Sequence, residues 1–244
     1  MATSPVARKY GKRYAIALAE VDPEQVYSVD EAIALVKKTA KAKFDETVEL
    51  HISTGADPRH ADQMVRGTVV LPHGTGKLRR VLVFAQGEGV TLAREAGADF
   101  IGDDEVIQRI EKEGWVEFDA SIATPDLMGR IGRLGRVLGR RGLMPNPRTG
   151  TVVETEDIPR AVREAKGGRI EYRLDRTGII HLPIGKASFE SQQLKDNLAE
   201  VLHVVNQAKP EKMKGQFFLT VYLTSSMGPG IKLDTSKLQG LRSE

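Results

Sequence analysis

The sequence contains no cysteine among its 244 residues. That excludes disulfides, thiolate metal sites and a cysteine nucleophile, and it fits a reducing cytoplasm. No run of about 18 apolar residues occurs, so no membrane span is expected. Residues 1–14 are basic but lack a following apolar segment, so they do not read as a secretory signal. No G-x-S-x-G elbow is present, which leaves a hydrolase without support. The five histidines, His51, His60, His73, His181 and His203, show no metal-ligand spacing and have no cysteine partners, so neither a metal nor a cofactor is expected. Gly74-Thr75-Gly76-Lys77 partly matches a phosphate loop. However, Leu71 stands where the first glycine is required, and Leu78 stands where a hydroxyl would hold Mg²⁺. A turn between domains is the better reading.

Charge of one sign is also scarce overall: the formal balance is only +3. Its distribution is uneven. Residues 1–14 hold Arg8, Lys9, Lys12 and Arg13 with no acid. Residues 129–148 hold Arg130, Arg133, Arg136, Arg140, Arg141 and Arg148, again with no acid. Clustered cations favour a polyanion, and RNA is the commonest one; solvated faces are the plainer alternative. Gly129, Gly132, Gly135, Gly139 and Gly142 punctuate the second cluster. They suggest either a close-packed helix–strand crossing or a pliant basic surface near phosphate.

An apolar share of 40% is enough for a packed core. Ser28-Val29-Asp30-Glu31 predicts a capping box, and Val29, Ala32, Ile33 and Val36 follow at helical spacing to about Ala40. Val48, Leu50 and Ile52 alternate with Glu49 and His51 as a half-buried strand. Phe217, Leu219, Val221 and Leu223 alternate with Phe218, Thr220, Tyr222 and Thr224 as another. Leu194, Leu198, Val201, Leu202 and Val205 mark a long amphipathic helix that Pro210 closes. Strands at 169–174 and 179–184 flank the turn 175–178. The middle differs in texture. Val81-Leu82-Val83-Phe84-Ala85 reads as a strand covered on both faces. Helical stretches at 88–97, 103–113 and 126–138 alternate with short strands at 99–101 and 119–123, a rhythm that predicts a parallel sheet with crossover helices.

Three remote segments place small, cationic or apolar residues at strand ends: Lys43-Phe44-Asp45-Glu46-Thr47, Gly185-Lys186-Ala187-Ser188-Phe189 and Ser225-Ser226-Met227-Gly228-Pro229. From the residues alone, Phe44 reads first as core, and the third segment first as an ordinary turn. Together with Leu143-Met144-Pro145-Asn146-Pro147-Arg148-Thr149-Gly150, the three segments resemble the family of ribosomal protein L-one, large-subunit ribosomal protein number one, over about residues 10–234. Two departures stand out. Arg140 replaces a more usual proline, and Ser226 replaces a more usual threonine.

The resemblance implies an α/β fold of two domains. One is a terminal α+β domain with an antiparallel-rich sheet, residues 15–73 plus 166–244, preceded by a basic arm, 1–14. The other is an inserted Rossmann-like parallel α/β domain, 74–165. The resemblance also implies a protein that is not an enzyme and that sits in the cytoplasm on the large ribosomal subunit. Its RNA contacts would be Lys43, Phe44, Thr47, His181, Lys186, Ser188, Ser225, Ser226, Met227 and Gly228, with secondary contacts from Arg130, Arg133, Arg136, Arg140 and Arg141. The implied partners are large-subunit ribosomal RNA at the mobile side stalk, exit-site transfer RNA and the protein's own messenger RNA leader, with no membrane and no homo-oligomer. A nucleotide-binding enzyme built on the middle segment is the rival expectation, but Gln86-Gly87-Glu88-Gly89 follows its first strand, and Glu88 opposes a pyrophosphate. A free RNA chaperone is a third.

Overall fold

The computed structural model describes residues 10–210, 213 and 215–238; residues 1–9 of the expected arm lie outside them. In chain order the elements are α1 (Lys12–Leu18), α2 (Val29–Thr39), β1 (Thr47–Thr54), β2 (Arg66–Val70), β3 (Val81–Phe84), α3 (Glu88–Glu95), β4 (Phe100–Ile101) and α4 (Asp104–Glu113). Then follow β5 (Ala120–Ala123), α5 (Met128–Ile131), α6 (Gly135–Leu138), α7 (Ile158–Gly167), β6 (Arg169–Arg173), β7 (Ile179–Lys186), α8 (Ser191–Gln207), β8 (Phe218–Ser225), β9 (Ile231–Leu233) and α9 (Thr235–Leu238). The chain forms two compact units, residues 1–76 with 170–244 and residues 77–169. The boundaries therefore lie a little beyond 73/74 and 165/166. Lys166 and Gly167 are the last turn of α7, and Gly168 caps it at φ 109°, so the chain leaves the second unit after Arg169. The arm expected to end at residue 14 is shorter, because Lys12, Arg13 and Tyr14 already belong to α1.

In the first unit, β1 lies between two strands from the far end of the chain: the sheet order is β7-β1-β8-β9, all antiparallel. Val48, Leu50 and Ile52 are fully buried on one face of β1. α2 and α8 cover that face. The α2 capping box forms as expected, with Ser28 N donating to Glu31 Oε2 at 3.0 Å. Ala32, Ile33 and Val36 of α2 are almost fully buried, a contribution of about 1.5–3 kcal/mol for each of the two larger side chains.

β8 departs from simple alternation. Its pairing with β1 shifts between Ser53 and Thr54, so Thr54 faces Phe218 while Ser53 faces Thr220. Leu219 is the extra residue of this bulge and is 50% exposed, whereas Phe217 and Phe218 are both buried. A bulge changes the parity of the strand, which sequence alternation cannot register. The strands at 169–174 and 179–184 are not partners of each other: β6 pairs with β2, and β7 with β1. β2 and α7 are additions to the expected elements; α7 nonetheless carries a helical signal, with Ile158, Ala161, Val162 and Ala165 buried at helical spacing, Pro159 in its first turn and Gly168 just past its end.

The second unit is a parallel sheet in the order β4-β3-β5, with Val81, Leu82, Val83 and Phe84 all buried. Both faces of the sheet are covered, by separate apolar clusters. The stretch expected as one helix over 126–138 is a series of short α and 3₁₀ turns from Pro125 to Arg141. Leu127, Ile131, Leu134 and Leu138 keep helical phase and are buried. Among the described residues, no helix is long and apolar enough to cross a membrane.

Candidate nucleic-acid interface

The three remote segments meet at one end of the four-stranded sheet, around Glu46. This carboxylate is 2% exposed. Its Oε2 accepts from Ser225 Oγ at 2.7 Å and from the Met227 amide at 2.9 Å; its Oε1 accepts from the Ala42 amide at 2.8 Å. The Glu46 carbonyl accepts from the Ala187 amide at 2.8 Å, which brings in the third segment. Burial works to raise the Glu46 carboxyl. The bonds from Ser225, Ala42 and Met227, with the charge of Arg13, outweigh it and hold the group below its ordinary value. A buried ionised acceptor with three donors is a strong fastener between chain segments.

Around it the surface side chains are set by shorter ties. Lys186 Nζ donates to Thr47 Oγ1 at 2.9 Å. Asp45 accepts from Ser188 Oγ at 2.7 Å and from the Ser188 amide at 3.1 Å. The Thr47 amide donates to Ser226 Oγ at 3.0 Å, and the Ser226 amide returns a bond to the Thr47 carbonyl at 3.0 Å. What this scaffold leaves outward includes apolar and cationic side chains, beside the exposed Asp45, Ser188 and Ser226. Phe44 is 56% exposed and Met227 is 49% exposed, with Lys43 exposed beside them. Phe44 is thus not core. Ser225, by contrast, is 2% exposed with its hydroxyl committed to Glu46, so it supports the loop from beneath. Gly228 closes the loop by donating to the Ser225 carbonyl at 3.0 Å, and a Cβ there would lie 2.5 Å from Ser225 Oγ.

Lys186 owes its aim to a second bulge. The β1–β7 register runs Glu49 to Pro183 and then Val48 to Gly185, so Thr47 faces Lys186. Gly185 sits at φ 154°, and a Cβ there would lie 2.8 Å from Phe189 and 2.9 Å from Leu194. Only glycine fits this close approach. Asn197, fully buried on α8, fixes the same strand: its Nδ2 donates to the Ile184 carbonyl at 2.8 Å and to the Gly74 carbonyl at 3.0 Å, and its Oδ1 accepts from the His73 amide at 3.0 Å.

Sequence reasoning gave no role to Glu46, Asp45, Gly185 or Asn197. One signal was available: two acids stand inside a segment otherwise read as cationic; Glu46 turns inward, and Asp45 stays exposed but is tied to Ser188.

His181 is not part of this cluster. Its register partner is His51, and the two Nδ1 atoms lie 2.8 Å apart, so one of them carries the shared proton. Burial, then the nearby His181, lower the His51 pKa against the pull of Glu49. Among the described residues, no group of three or more His, Asp or Glu side chains is gathered to hold a metal.

The arginine cluster lies in the second unit and is built differently. Arg130 pairs with Asp104, and Arg133 stands 4.0 Å from Glu111. Arg136, Arg140 and Arg141 are exposed. A Cβ on Gly129, Gly132, Gly135 or Gly139 would meet nothing within 4 Å. The glycines therefore do not serve a tight helix–strand crossing; they lie on the outer face of the turns. The stretch after them is held by Arg169, whose guanidinium donates to the Gly150 carbonyl at 3.0 Å and to the Thr149 carbonyl. A cavity of about 460 Å³ opens beyond β3 and β4. Arg94, Arg130, Asp103 and Asp104 are among the residues that line it. Its two carboxylates stand where the rival expectation would put a pyrophosphate.

Fold and cluster together define a two-unit α/β protein whose distinctive feature is a pinned, outward-facing surface formed from distant segments. The model of the ribosomal protein L1p/L10e family matches residues 36–229, more than half of the chain, and the chain belongs to that family. It is 57% identical over 234 residues to a protein of Chloroflexus aggregans named large ribosomal subunit protein uL1, covering 96% of this chain and 99% of the relative. Proteins of the same name from two strains of Chloroflexus aurantiacus are 55% identical over 235 residues, covering 96% of this chain and 99% of each relative.

Proposed function

We propose that this chain is a structural protein of the large ribosomal subunit, in the cytoplasm, that binds ribosomal RNA at the mobile side stalk through the cluster around Glu46. Family membership and the name shared by its relatives support the assembly, and that name is of a subunit protein, not of an enzyme. The observation that carries the site is the convergence of 43–47, 185–189 and 225–228 on one residue, Glu46, whose carboxylate binds 225–227 and whose main-chain carbonyl binds Ala187. Lys43 and Lys186 attract phosphate. Phe44 and Met227 offer apolar surface to a sugar or base face. Thr47, Ser188 and Ser226 bring hydroxyls to RNA backbone. His181 joins them only if the RNA extends along β7.

Because the fasteners fix these groups in one arrangement, the surface selects a folded RNA shape rather than a sequence. The same property lets a messenger RNA leader that copies the fold compete for the site, so repression of the protein's own translation follows from one interface. Assistance in releasing exit-site transfer RNA is the further role that the family resemblance supports. A fragment of side-stalk ribosomal RNA should bind much more tightly than an unrelated duplex of equal length at moderate salt. Equal binding would remove the reading.

A further inference from the structure

α1 is docked by Ala17 and by the residues that follow its C-terminus. Ala17 and Val21 are buried, and Glu20 pairs with Lys38 at 3.1 Å and with Lys41 at 3.3 Å, beside the loop that leads to Lys43 and Phe44. The other end of α1 faces differently. The Tyr10 and Tyr14 rings touch at a tilt of 46° with centroids 4.9 Å apart, and Tyr10 is 42% exposed. Neither ring belongs to the core cluster. Lys12 and Arg13 are exposed on the same turn, and the charge of Arg13 reaches Glu46 at the centre of the candidate interface. No acid occurs in residues 1–14, which also hold Arg8 and Lys9.

A tyrosine pair held outside the core and flanked by cations is suited to one kind of occupant. Its rings offer a π-face to an unpaired base, and the neighbouring cations neutralise the phosphates that the base brings with it. We propose that the start of α1, with Tyr10 just before it, is a second RNA-contacting element, with Tyr10 and Tyr14 as a stacking ledge and Lys12 and Arg13 as phosphate contacts. The proposal rests on the RNA reading of the Glu46 cluster and extends that surface to one side.

The test uses the full chain and a side-stalk ribosomal RNA fragment carrying 2-aminopurine at each unpaired position in turn. Tyr10→Ala with Tyr14→Ala should weaken binding about fivefold to tenfold, leave the salt slope unchanged and abolish quenching at one position. Tyr10→Phe with Tyr14→Phe keeps the rings and should retain both affinity and quenching. Lys12→Gln with Arg13→Gln, both exposed, should lower the log–log salt slope by about 1.5. These last two pairs decide the matter if loss of the half-buried Tyr14 ring unfolds the protein. The assignment falls if Tyr10→Ala and Lys12→Gln/Arg13→Gln bind as the parent does while Met227→Asp weakens binding; the cluster reading then survives alone. If Met227→Asp also binds unchanged, the cluster reading fails and takes this one with it. Unchanged RNA affinity with lost co-sedimentation on large subunits would mark α1 as a protein contact and overturn the RNA assignment.

Discussion

The two cationic regions of this chain resemble each other in composition and differ in construction. Around Glu46, each outward side chain stands on a segment tied by a buried or charge-assisted hydrogen bond to another distant segment. Along 128–141, the arginines stand on short turns with open space over the glycines, and Arg130 and Arg133 face surface carboxylates. A fixed constellation loses little conformational entropy on binding and can discriminate shape. A loose row of arginines supplies attraction that depends on salt more than on structure. On the proposed reading, clustering of charge in the sequence is a weak guide to where specificity resides.

The strongest test of this contrast separates the two units. Residues 1–76 joined to 170–244 by a short linker should fold and keep most of the affinity for side-stalk RNA. Residues 77–169 alone should bind on the order of a hundredfold more weakly. Equal affinity of the isolated second unit in a binding titration would move the main site to the arginines.

Next in size is Glu46→Ala. It leaves the buried Ser225 hydroxyl and two amides without their acceptor, at a cost of about 3 kcal/mol in stability read from urea unfolding. RNA affinity should fall as well, because the 225–227 loop and the Ala42 amide lose their common anchor, while the main-chain bond to Ala187 is kept. A variant with parental stability would show that the carboxylate does not hold the site together.

Met227→Asp should weaken RNA binding by about 1–3 kcal/mol through repulsion from phosphate and loss of apolar contact. Its unfolding midpoint should hardly move, since the side chain is half-exposed. A collapsed midpoint with unchanged affinity per folded molecule would assign Met227 to packing.

The pH response should be smaller and has a defined direction. Glu46 has a lowered pKa in the folded state, so its stabilisation is complete above the ordinary value of about 4.5. It is lost as pH falls from there through the folded value. Glu46→Gln should flatten the stability profile in that window; an identical profile in the variant would put the acid sensitivity elsewhere.

The smallest effect should come from Arg136→Gln with Arg140→Gln. Affinity should change only a few-fold, with the log–log salt slope reduced by at most about 1.5. A loss larger than that of Met227→Asp would erase the distinction between the two regions.

Much of this was determined by the sequence itself. The Ser28–Glu31 box starts α2 because its bonds join residues three apart. The buried run Val81-Leu82-Val83-Phe84 specifies a covered parallel strand because continuous apolarity leaves no wet face. The three site segments were visible as motifs, and the resemblance they carry named the family.

Tertiary structure decided what those segments do. Residues 225–227 reach Glu46 only because β1 is inserted between β7 and β8, a pairing that no local periodicity encodes. Two bulges, at Leu219 and at Ile184, each reverse the parity of a strand; one exposes a leucine and the other turns Lys186 toward Thr47. Whether a carboxylate is a solvated charge or a buried fastener depends on which donors surround it, and for Glu46 those donors come from residues 42, 225 and 227. The physical reason is range. Caps and hydrophobic periods act within a few residues, while the aim of a side chain at a strand end is set by partners that only the folded sheet brings within hydrogen-bonding distance.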